Sequence, residues 1–182
     1  IMPGPAFLDS DTVSLHPVNV DSDEDVRLIQ QAINNPDTRR QMGLTRPYSA
    51  RSEQTWLQDI DDREDHILLF IMATEEDTPV GNVELFDIDQ THGHAELGCW
   101  VYEPHRNQEY ATAACALLIK YAFEELRLHR LDAVAYETND ASQALAETLG
   151  FVHEGIQREF AYVDGEFIDQ HQYGLLATEW NE

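Results

Sequence analysis

The spacing of apolar residues changes along the chain, and each change marks an element. VSLHPV (Val13 to Val18) alternates as a strand does, and Pro17 confines it to an edge or an end. In DSDEDVRLIQQAINN, Val26, Ile29 and Ile33 recur at helical spacing behind the acids Asp21 to Asp25, and Asn34-Asn35-Pro36 stops the helix. A second helix is predicted after Ser52, carrying Trp56, Leu57 and Ile60. HILLFIMA is a short continuous apolar run, TPVG a turn, and NVELFDI a further extended segment. GHAELGCWVY puts Ala95, Leu97, Cys99 and Val101 on one face and His94, Glu96, Gly98 and Trp100 on the other. A long helix follows, roughly Tyr110 to Leu126, striped by Ala114, Leu117, Leu118, Tyr121, Ala122 and Leu126. LDAVAYET reads as a strand, and Asn139 and Asp140 cap the short helix ASQALAETL, which Gly150 ends. Two last extended segments, FVHEGIQREFAYV and EFIDQHQYGLLA, flank the turn Asp164-Gly165.

Strands and helices alternating in this way imply an α/β or α+β domain built on a mixed sheet. The 182 residues suit one domain over 1–182, with residues 1–10 the least bound to it and Met2, after Ile1, reading as the natural start. No apolar run is long enough for a membrane span, and Cys99 and Cys115 read as reduced core thiols, as in a cytoplasmic protein.

Charge changes the picture further. Asp and Glu number 35, Lys120 is the single lysine, and the formal net charge is -24. Acids spread along the whole chain fit a surface adapted to concentrated salt, where the Debye length is only about 3 Å. Attraction to cationic partners is the other reading. Nucleic-acid binding is disfavoured, since no basic patch exists to meet phosphates.

The stretch HRNQEYATAA, from His105, joins a polar loop to the start of the long helix, where backbone N–H groups and the helix dipole favour an anion. Its order among its neighbours is informative. A half-polar strand ends in an aromatic, a polar loop opens a long helix, and a second strand leads to Asn139-x-x-Ser142 and a helix closed by Leu149-Gly150-Phe151. This order resembles the Gcn5-related N-acetyltransferase (GNAT) superfamily, specifically its ribosomal-protein alanine/serine acetyltransferase-like (RimJ/RimL-type) branch. INNPDTRR, PVGNVELFDID, AELGCWVYEPHR, TNDASQALAETLGFVHEG and YGLLATEW carry it over nearly the whole chain.

The resemblance implies a mostly antiparallel mixed sheet with helices on both faces, and acetyl-CoA as cosubstrate. The cofactor loop of the family, Arg/Gln-x-x-Gly-x-Gly/Ala, matches Arg106-Asn107-Gln108-Glu109-Tyr110-Ala111, so Arg106, Asn107, Gln108, Glu109, Tyr110, Ala111 and Thr112 would hold the pyrophosphate. Glu109 replaces the central glycine. Three consequences stand side by side: the carboxylate swings outward and binding survives, the site is closed, or Glu109 only complements the helix dipole. By the same resemblance, a backbone N–H at Trp100 or Val101 polarises the thioester carbonyl, Asn139 contacts the pantetheine arm, and Ser142 donates to the departing thiolate. Asn139 and Ser142 also have a plainer reading as helix-starting residues. Glu96 is the candidate general base, useful if covered and so desolvated; its plainer reading is a solvated surface carboxylate.

Direct acetyl transfer to an amine acceptor follows, most like enzymes acting on protein N-termini such as those of ribosomal proteins. A polyamine or antibiotic acceptor, and a non-catalytic acetyl-CoA-binding relative, are the alternatives. His92 and His94 can share a strand face, but no third ligand stands at a metal-binding spacing, so no metal is expected. His105 and His129 are ordinary helix-end residues, and Trp56 and Trp180 core or rim. Trp100 is placed to line the acceptor side. Asp169, His171 and Tyr173 share a face, for substrate or for cross-strand pairing. The state is monomer or homodimer, the latter through apolar positions on the last strands.

Overall fold

In the computed structural model, residues 4–76 and 78–180 are described. Among them, eight strands form one sheet in the order β1-β2-β3-β4-β5-β6-β8-β7. The strands are β1 (Leu8–Asp9), β2 (Val13–Pro17), β3 (Ile67–Ala73), β4 (Gly81–Asp89), β5 (His94–Val101), β6 (Arg130–Tyr136), β7 (Val152–Val163) and β8 (Glu166–Leu176). The helices are α1 (Asp23–Asn34), α2 (Pro36–Gln41), α3 (Ala50–Asp61), α4 (Tyr110–Glu124) and α5 (Asp140–Thr148). Every neighbouring pair is antiparallel except β5 with β6.

Strand alternation places a core on each face. Leu69, Ile71, Val83, Leu85, Ala95 and Leu97 pack with Ala114, Cys115, Leu118, Ile119 and Ala122 of α4 and with Ala146 of α5. Phe70, between Leu69 and Ile71, points the other way, to Val26, Ile29 and Ile33 of α1 and Leu57 and Ile60 of α3. Burying each such side chain contributes about 1.5–3 kcal/mol, which is why short helices hold here. Helices thus cover both faces, as expected.

Several boundaries differ from the sequence expectation, each for a local reason. Asn35 ends α1 and also starts α2, its Oδ1 accepting from the N–H groups of Asp37 (2.9 Å) and Thr38 (3.3 Å), with Pro36 at the first helical position. The residues predicted to stop a helix therefore begin the next one. Ser49, not Ser52, caps α3, accepting from Ser52 N–H at 3.1 Å. Trp56 stays exposed on that helix while Leu57 and Ile60 are buried. On α4 the buried set includes Cys115 and Ile119, while Leu126 falls beyond the helix end. β2 is not the sheet edge, because the two-residue β1 covers it; Pro17 closes the strand. That short strand also ties Leu8 and Asp9 to the domain, whereas the start at Ile1 and Met2 lies outside the described residues.

β7 and β8 form a long hairpin whose two-residue turn has both Asp164 (φ 50°) and Gly165 (φ 98°) left-handed, the twist that suits a tight hairpin. Ile156, Phe160, Tyr162 and Phe167 are exposed along it. The parallel pair positions the site. β5 and β6 are in register only at His94↔Arg130, Ala95↔Leu131 and Glu96↔Asp132. β5 then runs on to Val101 and β6 to Tyr136, so the strands part and the sheet opens.

Candidate active site

Two cavities meet at this opening. One, of 480 Å³, is lined by Trp100, Val101, the loop His105 to Glu109, the first turn of α4, and Asn139, Ser142 and Thr148 near α5. The other, of 290 Å³, is lined by Thr38, Gln41 and Met42 of α2, by Glu84, Phe86, Glu96 and Gly98, and by Tyr136. Gln41, Cys99, Trp100, Asn139, Ser142 and Leu145 line both. Among the described residues, no lysine, arginine or histidine lines the smaller cavity.

The larger cavity is shaped by a loop that does without glycine. Glu109 sits at φ 62°, ψ 4°, the left-handed region that glycine enters most readily, and Asn107 is also left-handed at φ 61°. Glu109 is the N-cap of α4 and makes no side-chain cap bond; its carbonyl accepts the first intrahelical bond, from Ala113 N–H at 3.1 Å. The N–H groups of Tyr110, Ala111 and Thr112 precede that bond and are the free donors of the helix start. The backbone of an anion cradle is therefore retained, with an exposed carboxylate added at its rim. Arg106 Nε donates to Val101 O (3.1 Å), tying the loop to the end of β5, and Tyr110 Oη donates to Gln108 Oε1 (3.1 Å). A helix start with left-handed residues before it suits a phosphate group, so these residues fit the phosphates of acetyl-CoA.

Glu96 lies in the smaller cavity. Burial above all, then the charges of Asp87, Asp132 and Glu84, pushes its carboxyl up to about 7. Glu96 is half-buried, the covered setting in which a mid-strand carboxylate is desolvated. Asn139 does cap α5, its Oδ1 accepting from Ser142 N–H at 3.2 Å. That leaves its amide N–H₂ and the Ser142 hydroxyl at the junction of the two cavities. The indole Nε1 of Trp100, at the same junction, is buried with no partner among the described residues.

Other sequence candidates lie apart. Asp169 Oδ1 accepts from Glu159 N–H (2.7 Å) and Tyr173 is buried, so these two serve the hairpin and the core. His92 Nδ1 pairs with Asp89 Oδ2 at 2.7 Å on the surface. Conversely, Glu84 and its partner His66 (2.8 Å) escaped the sequence reading. Gly98 was the available signal: glycine inside a strand often marks a close approach, and here the Glu84 carboxyl would stand 2.9 Å from a Cβ at that position.

Comparison with known proteins agrees with this geometry. A family model described as an acetyltransferase (GNAT) domain matches residues 13–152. The Bacillus subtilis protein named "Putative ribosomal N-acetyltransferase YdaF" is 41% identical over 100 residues, so the aligned part spans 55% of each chain. Spermidine N(1)-acetyltransferase of Escherichia coli K12 is 28% identical over 158 residues, 82% of this chain and 83% of the relative. A crystal structure of spermidine N-acetyltransferase from Vibrio cholerae, in complex with CoA and spermine, superposes with a TM-score of 0.85 at 21% identity. It covers 93% of this chain and 98% of that one, a likeness of fold.

Proposed function

The chain belongs to the GNAT acetyltransferase family, and on that premise we propose that it transfers acetyl directly from acetyl-CoA to an amine, most like enzymes that acetylate protein N-termini. The observation that carries this reading is the meeting of the two cavities, with a helix-start anion cradle on one side and Glu96 on the other. The left-handed Glu109 favours retained cofactor binding over a closed site, because the loop keeps the backbone a glycine would give it.

The chemistry then divides among this chain's residues. The phosphates lie on the first turn of α4, and Asn139 holds the arm that leads to the thioester. The thioester carbonyl meets a donor at Trp100 or Val101, where negative charge develops. Glu96, directly or through water, takes a proton from the ammonium of the acceptor. The freed amine forms the new C–N bond as the C–S bond breaks; the nitrogen's second proton passes by way of the Ser142 hydroxyl to the departing thiolate, which leaves as the CoA thiol. An α-amino group, with a pKa near 8, needs less help from such a base than a lysine near 10.4.

A second reading, a polyamine acceptor, is supported by the acidic lining of the smaller cavity, which has the carboxylates of Glu84 and Glu96 and no cation among the described residues. The 28% identity to a spermidine acetyltransferase points the same way. Mass analysis after incubation with acetyl-CoA in molar KCl separates the two. Peptides starting in Ser or Ala gain about 42 Da at the N-terminus under the first reading, whereas acetylated spermidine alone supports the second. CoA release with neither acceptor type would count against both.

A further inference from the structure

Three carboxylates act on Glu96, and each has a partner of its own, an arginine for two of them and a histidine for the third. Glu84 on β4 accepts from His66 Nε2 at 2.8 Å. Asp132 on β6 is bonded by Arg130, which also holds Glu154. Asp87 on β4 lies 3.9 Å from Arg63. No hydrogen bond or ion pair joins Glu96 itself to another described residue; α2 and the residue after it line the same cavity with the uncharged Thr38, Gln41 and Met42, β6 lines it with the Tyr136 phenol, and β5 and α4 with the thiols of Cys99 and Cys115. His94, next on the same face of β5, lies 3.9 Å from Asp89 and is exposed. Glu96 is thus the one carboxylate of the group with no such partner among the described residues.

The Glu84 pair differs from the other two in being much less exposed. Side-chain exposure is 9% for His66 and 13% for Glu84, against 30% or more on both partners of the pairs with Arg130 and Arg63. The His66 ring is fixed by neighbours, standing 6.1 Å from Trp56 on α3 and 6.0 Å from Phe86 on β4. Glu84 is fixed at its other oxygen by lying over Gly98, which is open only because that residue has no Cβ. Fixed charges in a poorly hydrated site act strongly on one another.

We propose that the part-buried His66–Glu84 pair is a positioning device for Glu96: Glu84 holds protons on Glu96 by like charge, and the His66 hydrogen bond limits that effect by drawing the charge of Glu84 away from the cavity. Burial sets most of the shift of Glu96 and the pair trims it, so the pair adjusts the pH at which Glu96 becomes a base. The catalytic meaning rests on the acetyltransferase reading above; the electrostatic coupling does not.

The two substitutions must act in opposite directions. Glu84→Gln removes a like charge and lowers the Glu96 titration midpoint by about half a pH unit. His66→Gln uncovers the charge of Glu84 and raises it by about half a unit. The direct measurement is carbon-detected NMR titration of the Glu96 carboxyl in the unliganded protein, with His66→Asn as a second variant if the first does not fold. A merely structural pair would move both midpoints together or neither, and either result overturns the proposal. The pH profile of kcat/KM with an accepted amine follows the same order of midpoints. Opposite NMR shifts in a protein that transfers no acetyl uphold the coupling and sink the enzymatic reading instead.

Discussion

Glu96 stands in register with Asp132 at the last position where β5 and β6 run side by side, so the candidate base occupies the point at which the sheet opens. The parallel pairing that brings two acids together also creates the cleft beyond them. With its carboxyl pushed up to about 7, Glu96 is largely protonated at pH 6 and largely free at pH 8. The kcat/KM profile should therefore rise through a midpoint near pH 7. Glu96→Gln should lose about 10²–10⁴-fold in kcat and flatten that limb. Steady-state rates between pH 5.5 and 9 check both.

Asn139 and Ser142 share a helix cap yet should separate in their effects. Asn139→Ala removes the acceptor for Ser142 N–H and should cost about 1 kcal/mol of stability as well as affinity for acetyl-CoA. Ser142→Ala keeps the cap and should lower kcat with little change in melting temperature. Denaturant unfolding beside initial rates distinguishes the two.

Glu53 is 2% exposed, its Oε1 has no partner among the described residues, and burial pushes its carboxyl up to about 7. A raised carboxyl pKa means that the folded chain holds the proton more tightly than the unfolded one. Its contribution is thus most favourable below the unfolded value and falls as pH rises toward 7. Glu53→Gln should leave stability at pH 4.5 nearly unchanged and raise it at pH 8. Thermal unfolding at the two pH values tests this.

The polar face of β5 and the capped start of α5 were legible because each is a local pattern within one element. The helix start at Asn35-Pro36 was misread, since the same residues that stop one helix can cap another when Pro36 takes the first position. The His66–Glu84 pair was not legible at all. It depends on the β3–β4 register, which sets Leu68 against Glu84, and on Trp56 reaching across from α3. No spacing within either segment encodes that meeting. Nor does the sequence reveal that Glu109 accepts the left-handed backbone, because non-glycine residues seldom do.

A net charge of -24 with one lysine leads to a salt prediction. Mutual repulsion among surface carboxylates weakens as the Debye length shrinks from about 10 Å at 0.1 M to about 3 Å at 1 M. The melting temperature should climb between these concentrations of KCl, and equal values would argue against a surface adapted to salt.

The central claim is that the loop before α4 remains an acetyl-CoA cradle although Glu109 stands where the family has glycine. Calorimetry with acetyl-CoA in molar KCl, on the native chain and on Glu109→Gly, tests it most directly. The native chain should bind with micromolar affinity, and the substitution, which removes a like charge, should tighten binding about fivefold. The variant should also be about 1 kcal/mol more stable, because the left-handed backbone is relieved. Binding by the variant alone would contradict the claim and make Glu109 the residue that closes the site.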